Sequence, residues 1–163
     1  MAAIHNGRFT VKIEGDFVVF LIGMRINHLL LVHKWLPVSR AMPRMLKELF
    51  AHKEMGLLHA QSFLSWRTVM VLQYWRSFEQ LHAYAHARNL EHLPAWADFN
   101  RRVGGNGSVG IFHETYRIEP GAYENVYVNM PPLLLGRIGA LVEARGGLNS
   151  ARDRMAKLPG HDA

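Results

Sequence analysis

Among the ten histidines of this sequence, His92 has neighbours that could form one side of a binding site. It stands at the start of a predicted helix and shares one face with Trp96 and Phe99, at steps of four and three residues. A neutral imidazole flanked by aromatic rings can coordinate haem iron. The structural alternative is a helix-start histidine that bonds a nearby main-chain carbonyl. The residues alone leave both interpretations open.

His113 is the second candidate, and it lies in a run that predicts a β-strand. It alternates with Ile111 and Thr115 on one face of that strand, whereas Glu114 points to the other face. A direct pair between His113 and Glu114 is therefore not expected. The His113 imidazole could act as a general acid or base near neutral pH, or it could be a hydrogen-bonded core residue.

His82 and His86 are four residues apart on another predicted helix, which is the spacing of a two-histidine metal site. No His-Glu-x-x-His pattern surrounds them, so we expect them on the exposed side of the helix, opposite Leu81 and Ala85. The chain has no cysteine, which excludes a cysteine-based zinc site and a catalytic thiol.

The elements that would position these histidines are predicted from hydrophobic periodicity. Residues 17–27 form an apolar, β-branched and aromatic run that is typical of a central strand. An apolar stripe from Trp35 to Leu49 predicts a helix, which Pro43 should kink or divide into two. Further along we predict strands at 57–64 and 67–76, a helix capped by Ser77, a helix at 93–103, and strands at 110–118 and 123–130.

This order predicts an α+β fold with a ferredoxin-like antiparallel sheet and helices on one face. We assign this domain to residues 1–140 and a C-terminal extension to residues 141–163, with one short helix near Ala140 and a loosely packed polar tail. The strand at 67–76 has apolar side chains on both faces, so the uncovered face of the sheet needs a partner. A second copy is the economical cover, which predicts a homodimer with a barrel-like interior.

The overall composition limits the partners and the location. The net charge is +6, but the basic residues are scattered rather than clustered, so no nucleic-acid partner is expected. The longest apolar run, residues 17–24, is far shorter than a membrane span, so no membrane association is expected either. The N-terminal residues lack the pattern of a secretory signal, which predicts a cytoplasmic protein.

Several segments resemble one protein family, a monooxygenase-like group in the dimeric α+β barrel superfamily that also holds the antibiotic-biosynthesis monooxygenases. They are GDFVVFLIGMRIN (15–27), WLPV (35–38), QYWRS (73–77), HLPAW (92–96), GIFHETY (110–116) and YENVYVNMP (123–131). The resemblance spans roughly residues 8 to 140 and implies the dimeric barrel fold. It does not define the reaction, because this scaffold carries many chemistries.

A second resemblance is local and concerns residues 92–103 followed by residues 113–115. This part is similar to the C-terminal region of the haem-containing aldoxime dehydratases, in which one histidine holds the iron and another acts on the opposite side of the haem. The resemblance implies His92 as the iron ligand and His113 as the catalytic residue. Thr115 stands where those enzymes have valine, and this chain is about half their length.

These observations lead to one main functional prediction and three alternatives. The main prediction is a haem-binding monooxygenase-like oxidoreductase that acts on a small hydrophobic organic substrate. The alternatives are an aldoxime dehydratase-like lyase, a monooxygenase without cofactor in which His113 is the base, and a non-enzymatic ligand-binding module.

Overall fold

The computed structural model describes residues 3–87, 90, 92–103 and 105–157. The chain forms two compact units, one from residues 18–116 and the other from residues 1–17 together with 117–163. The predicted domain boundary at residue 140 falls on the first residue of a strand in the second unit, and residues 158–163 of the predicted extension lie outside the described residues. No helix in the described ranges is long and apolar enough to cross a bilayer.

The larger unit contains one sheet and three α-helices. Along the chain they are β2 (Phe17–Ile26), α1 (Val32–Ala51), β3 (Leu57–Ser65), β4 (Thr68–Trp75), α2 (Phe78–His86), α3 (His92–Arg102) and β5 (Val109–Ile118). The strands lie in the order β3-β4-β2-β5, and β4 is antiparallel to both β3 and β2. This order and the helix positions are those of a ferredoxin-like fold, which confirms the fold class predicted from the sequence.

The pairing register defines the two faces of this sheet. Phe20 pairs with Gln73 and Ile22 with Val71, so these side chains share the face that the helices cover. The alternate residues, such as Leu21 and its partner Leu72, point to the opposite face.

The helix α1 is a single element of 20 residues, although both Pro37 and Pro43 lie inside it. Of the two outcomes predicted for Pro43, a kink or a division into two helices, the division is therefore wrong. A proline inside a helix removes one main-chain hydrogen bond. Burial of Met45 and Leu49 against the sheet holds the second half of the helix in place despite that loss.

The core of the larger unit lies between the helices and the covered face of the sheet. One buried cluster joins Leu49 of α1 and Leu81 of α2 to Trp75 of β4. A second cluster joins Val103, just after α3, to Met24 of β2 and Val109 of β5. The Oγ of Ser77 accepts a hydrogen bond from the N–H of Gln80 at 3.2 Å, as the sequence predicted for the start of α2.

The second unit contains β1 (His5–Lys12), β6 (Tyr127–Met130), β7 (Ala140–Glu143) and the helix α4 (Ala151–Lys157). The strands form a sheet in the order β6-β1-β7, so the short helix predicted near Ala140 is a strand instead. As far as residue 157, the polar tail is anchored rather than loose, because the Arg154 guanidinium is 3% exposed and pairs with Glu124 at 2.7 Å. The pairing of β7 with β1 and the Arg154–Glu124 ion pair both join residues that are far apart in the sequence. Local sequence patterns therefore could not predict them.

Candidate active site

The larger unit contains an open cavity of about 490 Å³ between its sheet and its helices. The sheet wall comes from alternate residues of β2, β4 and β5, and the helical wall comes from α1, α2 and α3. Most of the lining is apolar, with Ile22, Met42 and Phe99 as examples. The cavity has the size and character of a site for a small or medium hydrophobic molecule.

His113 lies on the sheet wall of this cavity. Its ring centroid is 5.7 Å from that of Phe20 on the neighbouring strand, and both Ile111 and Thr115 line the same wall. Glu114 points to the other face, where its carboxylate accepts a hydrogen bond from the Tyr116 hydroxyl. The alternation in the sequence therefore correctly placed the His113 ring on the same face of β5 as Ile111 and Thr115. A ring on this wall can reach a bound ligand from the sheet side.

His92 begins α3 and lies on the helical wall. Its Nδ1 atom is buried and has no hydrogen-bond partner in the described part of the chain. Burial lowers the pKa of His92 below its ordinary value of 6.5; the nearby Ala85 carbonyl opposes this effect and the proximity of His86 adds to it. The ring is thus held neutral near pH 7. The unprotonated nitrogen of this neutral imidazole can accept a proton or coordinate a metal ion.

Trp96 and Phe99, which the sequence placed on the same helix face as His92, also line the cavity. Their rings stack on each other with centroids 5.5 Å apart and planes 21° apart. Trp96 is still 47% exposed, so one face of this aromatic pair is accessible. A stacked pair of this kind offers a flat surface to a planar substrate.

His82 and His86 line the rim of the same cavity, which the sequence did not indicate. Both side chains are exposed, as expected, and their rings stack with centroids 4.1 Å apart. The Nδ1 of His86 is 2.8 Å from the carbonyl oxygen of His82, so this nitrogen is already engaged. Among the described residues, no group of three or more His, Asp or Glu side chains is arranged to hold a metal ion. The pair therefore forms a polar edge to the cavity.

Gln73, a buried polar residue on β4, was not among the site residues predicted from the sequence. Its Oε1 accepts a 2.8 Å hydrogen bond from the indole of Trp75, and its Nε2 lies 3.8 Å from the sulfur of Met42. Gln73 lines a second, smaller void of about 40 Å³, which shares His92 with the main cavity. A polar residue at an inward position of an otherwise apolar strand was the signal that could have found it.

A family model described as Monooxygenase af470-like matches residues 17–135. The chain belongs to this family. It is also 31% identical to Monooxygenase af470 of Aspergillus fumigatus over an alignment of 193 positions, which covers 96% of this chain and 69% of that protein. This match confirms the resemblance to a monooxygenase-like family that the sequence showed. Its matched region includes every residue that lines the cavity.

Solved structures with similar folds include two from bacteria. One is a conserved protein of Bacteroides thetaiotaomicron, with a TM-score of 0.46 and 14% identity, covering 63% of this chain and 98% of that one. Another is SnoaB of Streptomyces nogalater, a cofactor-independent oxygenase, with a TM-score of 0.45 and 10% identity, covering 62% of this chain and 91% of that one.

The haem prediction gains no support from the Monooxygenase af470-like family. The family match and the relative from Aspergillus are named for a monooxygenase, and neither is described as a haem protein or an aldoxime dehydratase. The lyase alternative is equally without support. The structure brings His92, Trp96, Phe99 and His113 to one cavity, and their roles stay predictions.

Proposed function

We propose that this protein is a monooxygenase that needs no bound cofactor and oxidises an electron-rich, planar hydrophobic substrate. The observation that carries the proposal is the apolar cavity with His113 on its sheet wall, in a chain of a monooxygenase family. A substrate whose acidic C–H or O–H group lies against this ring can lose its proton to the imidazole. The substrate class is therefore a phenol, an enol or a ring with an activated methylene group.

The chemistry balances with dioxygen as the only co-reactant. His113 removes a proton from the activated carbon, and the resulting carbanion passes one electron to dioxygen. The two radicals combine to form a C–O bond and a peroxide. The peroxide takes up the first proton from His113. Loss of the second C–H proton then breaks the O–O bond, and the departing hydroxide takes up that proton, so a CH₂ group and O₂ give a carbonyl group and water. All four electrons come from the substrate, so no external reductant is required.

The walls of the cavity support this reaction in two ways. The stacked rings of Trp96 and Phe99 can hold a planar substrate by aromatic contact. Apolar residues such as Val38 and Val71 favour a hydrophobic substrate, and its binding displaces from the open cavity the water that would otherwise protonate the carbanion. His113 is the catalytic residue in this proposal, and the aromatic pair binds and orients the substrate.

Haem ligation by His92 is the competing hypothesis, and one observation suits it. The buried Nδ1 of His92 has no hydrogen-bond partner in the described residues, so its lone pair could coordinate iron. The Trp96–Phe99 pair could flank a porphyrin. Haem would supply an iron centre for oxygen activation. The proposed reaction does not require it, because the electrons come from the substrate.

We also propose that two copies of the chain associate through the face of the sheet opposite the cavity. Phe63 of β3 and Phe112 of β5 point to that face and are 38% and 36% exposed, and Tyr116 is 48% exposed. Large apolar side chains at such positions favour a protein partner. Size-exclusion chromatography with light scattering should give twice the monomer mass, and a monomer at micromolar concentration would contradict this part of the proposal.

The experiment that tests the proposed reaction measures dioxygen consumption with a panel of phenols, enols and activated methylene compounds. Isotopically labelled dioxygen should place one oxygen atom in the product and one in water. His113→Ala should lower kcat/KM by about 100-fold or more, the usual contribution of a general base. His33→Ala is the matched control, because His33 is exposed on α1 and lines neither the main cavity nor the smaller void.

Two outcomes would contradict the proposal. One is unchanged kcat/KM in a folded His113→Ala variant. The other is activity only after addition of hemin, with a Soret band that disappears in His92→Ala, which would establish the haem hypothesis instead.

A further inference from the structure

The smaller void lies in the core of the larger unit and adjoins the main cavity. Phe20, Met42 and His92 line both volumes, so they form the boundary between them. Leu49 and Trp75 line only the smaller void, and each is 1% exposed. The void therefore begins where the main cavity ends and extends into the buried core.

The size and the chemistry of this void are unsuited to water or to an organic ring. Its volume of about 40 Å³ is far below that of the main cavity. A water molecule needs roughly 10–15 Å³ but also two to four polar partners. Oε1 of Gln73 and the hydroxyl of Tyr84 are already hydrogen-bonded, the latter to Glu48 at 3.0 Å. His92 Nδ1 is then the one polar atom on the described lining without a partner.

We propose that this void is the dioxygen site of the enzyme. The inference rests on the proposed function, in which dioxygen is the co-substrate. A small apolar void that stays dry is a binding site for an apolar gas molecule, as engineered core cavities that bind xenon show. Its boundary at Phe20 and Met42 places a bound dioxygen next to the organic substrate in the main cavity.

His92 contacts both compartments and is the polar side chain between them. When the substrate carbanion passes an electron to dioxygen, the reduced species is negatively charged and needs a polar neighbour. The negative charge favours protonation of His92 at Nδ1, which has no partner in the described residues, and the protonated ring can then donate a hydrogen bond to the reduced species without a water molecule in the void. His92 is thus assigned to stabilise the reduced dioxygen, whereas His113 removes the proton from the substrate carbon.

The test of this site fills the void from one side. Leu49→Phe adds volume to a residue that lines the void and not the main cavity. The KM for dioxygen should rise about fivefold or more, while the KM for the organic substrate changes less than about twofold. Leu57→Phe is the matched control, because Leu57 is a buried leucine of the same core cluster and lines neither volume. An unchanged KM for dioxygen in the folded Leu49→Phe protein would overturn the proposal.

A second measurement uses the unmodified chain and does not depend on turnover. Crystals pressurised with xenon should show xenon in the void beside Leu49. Under dioxygen pressure, the methyl NMR signals of Leu49, which lines only the void, should broaden more than those of Leu57. Equal broadening at the two residues, or xenon found only in the main cavity, would refute the site. Gas binding in the void without oxygen consumption on any substrate would instead refute the proposed function.

Discussion

The indole nitrogen of Trp75 donates a 2.8 Å hydrogen bond to Oε1 of Gln73, two residues earlier on the same strand and on the same face. Both side chains are buried, with exposures of 1% and 4%. A Trp ring in a core needs a partner for its single N–H group, and here the strand supplies that partner from its own sequence. The bond fixes the indole as one wall of the smaller void.

Replacement of Gln73 by leucine should lower the free energy of unfolding by about 1–3 kcal/mol, because the buried indole N–H loses its acceptor. Denaturation in urea, followed by tryptophan fluorescence, measures this loss. Gln61→Leu is the control, since Gln61 lies on β3 and makes only a 3.4 Å bond to a neighbouring carbonyl. A loss in Gln73→Leu no larger than that in Gln61→Leu would show that the bond does not stabilise the core.

A methyl group at Gly23 would meet two parts of the sheet at once. A Cβ atom there would lie 2.6 Å from the ring of Phe112 and 2.8 Å from the carbonyl oxygen of Val69. We expect Gly23→Ala to destabilise the fold by about 1–3 kcal/mol through this overpacking. Gly105→Ala should be close to neutral, because nothing lies within 4 Å of a Cβ at that position.

A double-mutant cycle separates the two contacts of Gly23. In a Phe112→Ala background the ring is gone, so Gly23→Ala should cost about 1 kcal/mol less than in the unmodified protein. Equal costs in the two backgrounds would assign the whole effect to the Val69 carbonyl, which cannot move without distorting β4.

The sequence predicted this unit well where local patterns determine structure. Period-two alternation placed His113 toward the helices, and the spacing of Trp96 and Phe99 placed them on one helix face. At Pro43 it left a kink or two helices open, and the division into two helices is wrong because packing of the whole helix outweighs one lost hydrogen bond. It placed His82 and His86 correctly on the exposed side of α2 but did not indicate that they border the cavity, because that position depends on how α2 packs beside α3 over the sheet. The smaller void was beyond prediction, since a void depends on several packed elements at once.

Trp96→Ala should weaken binding of a planar substrate without changing the proton transfer. Loss of the stacked surface should raise KM about three- to tenfold, which corresponds to the energy of one aromatic contact. Trp66→Ala is the matched control, because Trp66 is 84% exposed in the turn between β3 and β4 and does not line the main cavity. Steady-state kinetics on the substrate found in the oxygen-consumption screen measures both variants. A fall in kcat with an unchanged KM would assign Trp96 to the chemical step instead.

In the second unit, Arg154→Lys should destabilise the C-terminal part of the chain. The guanidinium donates to Glu124 through Nε at 2.8 Å and to the carbonyls of Leu148 and Asn149. Lysine has no planar fork and would leave some of these buried acceptors unpaired, at a cost of about 1–3 kcal/mol. Hydrogen exchange of α4 measures the effect, and Arg152→Lys at an exposed site is the control. Equal protection of α4 in the two variants would contradict this account.

The lowered pKa of His92 predicts a pH dependence of stability with a definite sign. Burial is the main cause, so the folded chain binds the proton less readily than the unfolded chain, whose histidine has a pKa near 6.5. The unfolded state therefore binds more protons as the pH falls below that value, and the free energy of unfolding should decrease from pH 7 toward pH 5. The decrease should level off once the pH passes the folded-state pKa.

Urea denaturation at several pH values, with His92→Gln as the variant, measures this effect. The slope between pH 7 and pH 5 should be smaller in His92→Gln than in the unmodified protein. His28→Gln, which replaces an exposed histidine in the loop before α1, is the matched control. If His92→Gln leaves the slope unchanged, the ring is solvated in the folded chain and can take up a proton freely. It would then be charged at mildly acidic pH, and the apolar boundary between the main cavity and the smaller void would not exist as described.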